Sequence, residues 1–334
     1  MRQLHSLIFP FLAALLFLAA CGGHSSSLPD AGERPGRDSA ETDTSVLKVA
    51  LLPTVDCLPF YYANSSGIFD SLGLRVKFLT YTSRPDCDTA WLGKSADGGF
   101  TDLVRVALYR GKLSRKLTVV MGTDGGWALV ASGTLRMKKL TALKERMVAV
   151  TRQSASDYYS SVALSSVRLD YPSVFRPQIN DLFLRAAMLT NNQVDAALLP
   201  EPQAYMAVKQ GGHKVLWRSD GNTARLGCLA FRDEVLRDGE KRKAVALLLQ
   251  GYARAAAILN RNGAGVCRQI LADVCGLKEV SPDSLQLPRY GAPSLPEPGS
   301  VRAALTFLRL QAPVGWKAGV AGDDFTDGTY LPKK

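Results

Sequence analysis

The stretch from Val194 to Val208 reads VDAALLPEPQAYMAV, and the reading of the whole chain turns on it. Its small apolar run, Ala196 to Leu199, is short and continuous, as a buried strand requires. Pro200-Glu201-Pro202 ends the run, and a helix-like stretch follows at once. Proline restricts φ and stiffens a turn, so the Glu201 carboxylate is held at the strand's carboxyl end. In open α/β sheets that is where ligands bind.

The same alternation extends in both directions. Strands are expected at LKVALL (47–52), RVKFLTY (75–81), DGGF (97–100), LTVVMGT (117–123), WALVAS (127–132), VFRPQI (174–179), KVLWRS (214–219) and LGCLAFR (226–232). Helices are expected at LPFYYAN (58–64), with Pro59 tolerated in its first turn, and at 85–94, 102–110, 154–167, 181–191 and 203–210. The stretch 141–150 reads as a helix and then a strand. Alternation of this kind places helices on both faces of a mainly parallel sheet. Beyond Arg232 the pattern turns helical, at 240–262, 264–275 and 301–311. Two runs echo one another: DGGF leads to Thr101-Asp102 and a helix, as DAALL leads to Pro200-Glu201-Pro202 and a helix. Two such domains face to face bring Asp102 and Glu201 to opposite walls of one cleft.

The N-terminal end speaks to compartment. Arg2, an apolar run from Leu7 to Ala20 and small residues before a cut describe a secretory signal. The run is shorter than the ~20 residues of a membrane span. Cys21, directly after Leu18-Ala19-Ala20, resembles the lipidated cysteine of a bacterial lipobox; the alternative is an ordinary signal that contains a cysteine. Residues 21–45 are rich in Gly, Ser, Pro and charge and lack apolar periodicity, so they read as a tether that cannot bury enough surface to fold. The expected organisation is a signal peptide at 1–20, the lipidated cysteine and tether at 21–45, and a body from Val46.

The chain carries a formal +11; Arg2 contributes one of these charges and the tether −3, which leaves +13 on the body. A basic body raises nucleic acid as a partner, but no Lys/Arg run or aromatic-basic motif accompanies it, so none is expected. A basic face beside anionic lipid accounts for the charge. Besides Cys21 there are five cysteines, none in a CxxC, and the only histidines are His5, His24 and His213. No His-rich metal site is possible, and neither a metal nor another cofactor is expected. An odd cysteine count leaves at least one free thiol. Cys267 and Cys275 stand roughly 12 Å apart on a continuous helix by its rise, so Cys57 with Cys87 is the possible disulfide.

At this point the chain resembles a family: the thiamine-precursor and nitrate/sulfonate/taurine group of solute-binding proteins, which feed ABC importers. The resemblance is carried by VALLPTVDCLPFYYANSSGIF (49–69), GGFTDLVRVAL (98–108), KKLTALKERMVAV (138–150) and above all NNQVDAALLPEPQAYMAV (191–208). It spans most of 46–334 and implies the α/β type II periplasmic-binding fold: two lobes joined by two hinge crossings, near 125–132 and 226–232, with extra C-terminal helices. The first lobe would comprise 46–128 with 230–334, and the second 129–229. It also implies an exported, membrane-anchored monomer facing the periplasm or cell exterior, with a small-molecule ligand, a permease and an ATPase as partners.

The resemblance points to the loop after the first strand, with Thr54, Asp56 and Tyr61, as touching ligand; equally, Asp56 caps a helix and a tyrosine belongs to the core. Thr101 and Asp102 carry the same alternatives. Ser154, Ser156, Asp157 and Tyr158 open a helix, whose free N–H groups and dipole suit an anion, although capping alone selects serine there. Adjacent Tyr158 and Tyr159 lie about 100° apart, so at most one faces a cleft. Trp127 either stacks on a planar ligand or is core. Asp56, Asp102 and Glu201 together repel a nitrate or sulfonate unless Arg152 or the helix start outweighs them. They favour an amine-bearing heterocycle such as a pyrimidine-like thiamine precursor; the alternative is a sulfonate, nitrate or taurine ligand.

Two other functions stand beside the receptor. Pyrimidine-forming and menaquinone-pathway enzymes share the fold, which does not decide function. The former carry a cysteine-rich motif and an active-site histidine that are missing here, and Gly-x-Ser-x-Gly, HExxH and Walker motifs are missing too, so catalysis is not expected. A sensory receptor needs the same closing cleft as a transport receptor.

Overall fold

The computed structural model describes residues 46–113, 116–219, 221–279, 281–321 and 324–333. The signal segment, Cys21 and the tether lie outside the described residues. Among the described residues no helix is long and apolar enough to cross a membrane.

The chain starts with β1 (Leu47–Leu51), whose Leu47, Val49, Ala50 and Leu51 are fully buried. Helices α1 (Leu58–Ser65) and α2 (Ile68–Ser71) lead to β2 (Val76–Thr80), and α3 (Arg84–Leu92) to β3 (Gly98–Asp102). Helix α4 (Leu103–Leu113) and β4 (Leu117–Gly122) follow. The chain then enters a second sheet as β5 (Trp127–Ala131) and continues through β6 (Val148–Ala149), α5 (Ala155–Ser165), α6 (Leu182–Thr190), β7 (Ala196–Pro200), α7 (Gln203–Gly211) and β8 (Lys214–Arg218). It returns to the first sheet as β9 (Gly227–Arg232) and ends in α8 (Asp233–Arg237), α9 (Gly239–Asn262), α10 (Arg268–Asp273), α11 (Pro298–Gln311) and α12 (Ala318–Ala321).

The strand orders are β2-β1-β3-β9-β4 and β6-β7-β5-β8. Each sheet is mainly parallel with one reversed strand, β9 in the first and β5 in the second. Both reversed strands follow a passage between sheets, so they enter from the side on which the other strands leave. Helices α9 and α11 pack on α1 and α4, so the C-terminal helices complete the first half. Each sheet with its helices is called a half below.

Strand β3 shows how sequence sets position. A Cβ on Gly98 would stand 2.4 Å from the Ala230 carbonyl oxygen, and one on Gly99 2.5 Å from that of Ala50. Only glycine lets β1 and β9 close on both sides of β3, and that closeness buries Thr101 and Asp102 completely.

Four expectations are corrected. Residues 174–179 make only single bridges to the strand edge, at Phe175 and Gln178, because Pro177 has no N–H to continue a ladder. The expected helix before β6 is a 3-10 turn at Leu140–Leu143. Cys57 and Cys87 are not bonded: both are free and buried, and the Cys87 thiol donates to the Phe100 carbonyl at 3.3 Å. Cys267 and Cys275 do not share one helix, since a 3-10 turn at Ala264–Cys267 precedes α10; both remain free.

Candidate functional site

The carboxyl ends of β1, β3 and β7 converge where the two halves meet. Direct bonds cross that line: Val55 N–H donates to the Glu201 carbonyl at 2.9 Å, and Gln203 Nε2 to the Pro53 carbonyl at 2.8 Å. Nearby, Leu182 N–H donates to the Thr82 carbonyl at 2.9 Å, and the Thr82 hydroxyl donates to the Asp181 carboxylate. Tyr205 OH donates to the Ser281 carbonyl at 2.9 Å.

Asp56 lies buried beneath the first passage between sheets. Its Oδ1 accepts the Gly125 N–H at 2.9 Å, and a Cβ on Gly125 would stand 2.0 Å from Oδ2. The passage can therefore cover this carboxylate only with glycine. Burial pushes the Asp56 carboxyl above the usual range, and bonds from Thr123 and Gly125 hold it back in part. Asp102, at the end of β3, accepts Arg105 N–H at 3.0 Å through Oδ1, and its Oδ2 lies 3.2 Å from Arg84 Nε. Burial raises its carboxyl as well; Arg84 and the Ala155 N–H at the start of α5 act the other way. Asp102 thus ties the first half to the N-terminus of a helix in the second, where the dipole favours a negative group.

Behind Asp102 lies a second ion pair, Arg105 Nε to Asp88 Oδ2 at 2.7 Å, and the Thr101 hydroxyl donates to Asp88 Oδ1 at 2.8 Å. Arg84 is one of several groups here with capacity to spare, since Asp102 Oδ2 and Thr54 Oγ1 are likewise buried without a hydrogen-bond partner among the described residues. Its side chain is 7 % exposed and its guanidinium lies over the Phe100 ring at 4.7 Å. Among the described residues its Nη1 is buried without a hydrogen-bond partner. A buried cationic donor left unpaired is costly.

The other expected site residues divide plainly. Thr54 is buried at the start of the β1–α1 loop, beside the Cys57 thiol. Tyr61 belongs to the core, its OH meeting Thr80 Oγ1 at 3.1 Å. Ser154 caps α5, and Ser156 Oγ accepts Thr151 N–H at 2.9 Å, so both serve the helix start. Asp157 accepts Gln153 N–H and the Tyr171 hydroxyl within the second half. Trp127 is buried against Tyr159, whose ring also meets Trp217. Of the two tyrosines, Tyr159 faces inward and donates to the Ala224 carbonyl at 2.9 Å, on the returning passage. Tyr158 instead packs edge-on against Phe307 of α11.

Glu201 is engaged by the second half itself. Its Oε1 takes Arg218 Nη1 at 2.6 Å and its Oε2 takes Tyr205 N–H at 2.8 Å, so the carboxylate closes the start of α7. The Glu201–Pro202 peptide is cis. Glu201 lines an open groove of about 490 Å³ with Val55, Asp124, Tyr205 and Arg218, at the margin of the buried centre. Arg84 leaves one signal in the sequence. An arginine at the first helical position, between the cap Ser83 and Pro85, opposes the helix dipole and needs a reason to be there.

Among the described residues no group of three or more His, Cys, Asp or Glu side chains could hold a metal ion. No family model matches the chain, and no curated protein matches it. Solved structures do resemble it. The alkanesulfonate-binding protein SsuA of Xanthomonas axonopodis pv. citri, bound to MOPS, superposes with a TM-score of 0.69 at 15% identity, covering 83% of this chain and 97% of that one. The periplasmic nitrate-binding protein NrtA of Synechocystis gives a TM-score of 0.69 at 14% identity, with 86% and 87% covered. A ligand-binding component of an ABC-type import system from Staphylococcus aureus, with zinc bound, gives 0.67 at 15% identity, with 85% and 97% covered. The fold is that of the periplasmic binding proteins.

Proposed function

We propose that this chain is the extracytoplasmic receptor of an ABC importer, capturing a small oxyanion-bearing solute of the sulfonate or nitrate type between its two halves. The carrying observation is Arg84 Nη1, a buried donor with no partner among the described residues, beside the start of α5. A guanidinium and a helix N-terminus both favour a negative group. The likeness to sulfonate- and nitrate-binding proteins supports the same reading. The thiamine-precursor reading rests on Asp56, Asp102 and Glu201; Asp56 and Glu201 already accept bonds from the chain itself, and Asp102 Oδ2, without a hydrogen bond of its own, is held 3.2 Å from Arg84 Nε. The receptor delivers its ligand unaltered to a permease and ATPase.

Calorimetric titration of the full chain with ethanesulfonate, nitrate and an aminopyrimidine tests this. One of the two anions should bind and be recovered unchanged. Binding of the aminopyrimidine alone, or turnover of any of the three, would overturn it.

The lipid anchor at Cys21 belongs to the same proposal, since a receptor held at the membrane stays near its permease. Cys21→Ser should move the protein from the membrane to the soluble fraction; membrane retention of the variant would defeat the anchor.

A further inference from the structure

Positive charge without acid gathers at one end of the first half. Residues 103–123, which begin with α4, contain no Asp or Glu, and neither do residues 298–321, which hold α11 and α12. The helices of these two stretches pack together. Trp316 Nε1 donates to the Ala107 carbonyl at 3.0 Å, and Lys317 N–H to the Gly111 carbonyl at 3.2 Å. A Cβ on Gly111 would stand 2.3 Å from the Trp316 ring, so only glycine lets the 312–317 loop lie on α4. Lys112, Lys116, Arg309 and Lys317 are all exposed around that contact. Asp233 and Asp324 act on Arg110 instead.

The same end carries bare apolar surface. Leu310 is 79 % exposed and Val314 92 %, the two most exposed large apolar side chains among the described residues, and Leu113 is 50 % exposed. Val314 is held in place: Pro313 beside it is buried, and Trp316 N–H donates to the Pro313 carbonyl at 3.0 Å. A lone apolar residue on a surface needs no explanation. Apolar residues set among cations on acid-free segments describe a face for an anionic lipid surface. The rival basic stretch, 136–146, has part of its charge answered. It contains Glu145, and Asp195 lies 3.7 Å from Arg146 Nη1 and accepts Met147 N–H at 2.7 Å.

We propose that this face, the ends of α4 and α11 with the 312–317 loop, docks on an anionic lipid bilayer, with Leu310 and Val314 entering the headgroup layer. The contact stands apart from an acyl chain on Cys21 and from the solute that the receptor takes. It belongs to the first half alone, so it fixes which half lies against the membrane. Each cation near an anionic surface strengthens attachment about fivefold, and the gain fades with salt. A single acyl chain holds a protein only marginally, whereas a chain together with a basic patch holds it firmly.

The test mixes the full chain carrying Cys21→Ser with vesicles of phosphatidylcholine, alone or with added phosphatidylglycerol, and follows co-sedimentation and amide exchange. The chain should prefer the anionic vesicles, and they should protect segments 111–113 and 309–317. Lys112→Glu/Arg309→Glu/Lys317→Glu should weaken binding to the anionic vesicles about a hundredfold. Lys138→Glu/Lys139→Glu/Lys144→Glu changes the net charge equally, in the rival stretch, and should lose far less. Leu310→Ser/Val314→Ser should bind about tenfold more weakly, a loss that persists in high salt. Equal losses in the two triple variants would reduce the effect to net charge and overturn the proposal. No binding, or equal binding to both kinds of vesicle as the apolar run 7–20 alone would give, would overturn it too. Anionic vesicles that leave both segments unprotected, or that hold the Leu310/Val314 variant as tightly as the parent, would give the face to a protein partner instead.

Discussion

Arg84→Gln should weaken oxyanion binding about a hundredfold. The guanidinium brings a buried, unpartnered Nη1 to the line between the halves, where each charge-assisted bond contributes roughly 1.5–3 kcal/mol. Losing about 3 kcal/mol corresponds to about two decades in dissociation constant. Glutamine keeps some length and can still donate, so the loss isolates charge and fork geometry. Asp102 retains the N–H groups of Arg105 and Ala155 after the change, which keeps the first half tied to α5. Arg84→Lys should fall between the two, because a point charge replaces a planar fork. Titration of the wild type and both variants decides it; equal affinities would remove Arg84 from the site.

The second large effect concerns stability. Asp88 is fully buried and accepts from Arg105 and from Thr101. Asp88→Ala leaves the Arg105 guanidinium inside the first half without its carboxylate, and breaking a buried pair from one side costs about 3–5 kcal/mol. For a folded body of about 290 residues that lowers the melting temperature by roughly 5–8 °C. Removing both charges in Asp88→Leu/Arg105→Leu should recover much of the loss, since a buried pair often contributes little beyond a well-packed apolar pair. Thermal unfolding followed by circular dichroism measures both. An Asp88→Ala variant that melts with the wild type would show the pair to be solvated after all.

The alternation of strand and helix was legible because buried strands such as Leu47–Leu51 and Ala196–Pro200 are continuous apolar runs. The placing of β9 between β3 and β4 was not, because register between strands more than a hundred residues apart leaves no mark on local periodicity. Asp56 and Asp102 could be found as acidic residues at strand ends. Their burial could not be read, since it depends on glycines in neighbouring segments, Gly125 above Asp56 and Gly98-Gly99 within β3. Glu201 was legible as a carboxylate at a strand's end, and what bonds it was not. Its partner Arg218 sits on β8, in a stretch whose pattern says only that it is a strand. The choice between Tyr158 and Tyr159 is made by α11, which takes Tyr158 for its own Phe307.

The late insertion of β9 also orders assembly in time. The second sheet is built from the contiguous residues 127–218, so every one of its strands exists before β9 does. The first sheet has no such freedom: β3 and β4 are joined only through Gly227–Arg232. Until that segment emerges, β3 and β4 each present an unpaired edge, and such edges invite pairing with other chains. Contacts this distant in sequence also slow folding. The chain therefore carries an incomplete first half through most of its synthesis, and the last strand to arrive is the one that makes its central sheet whole.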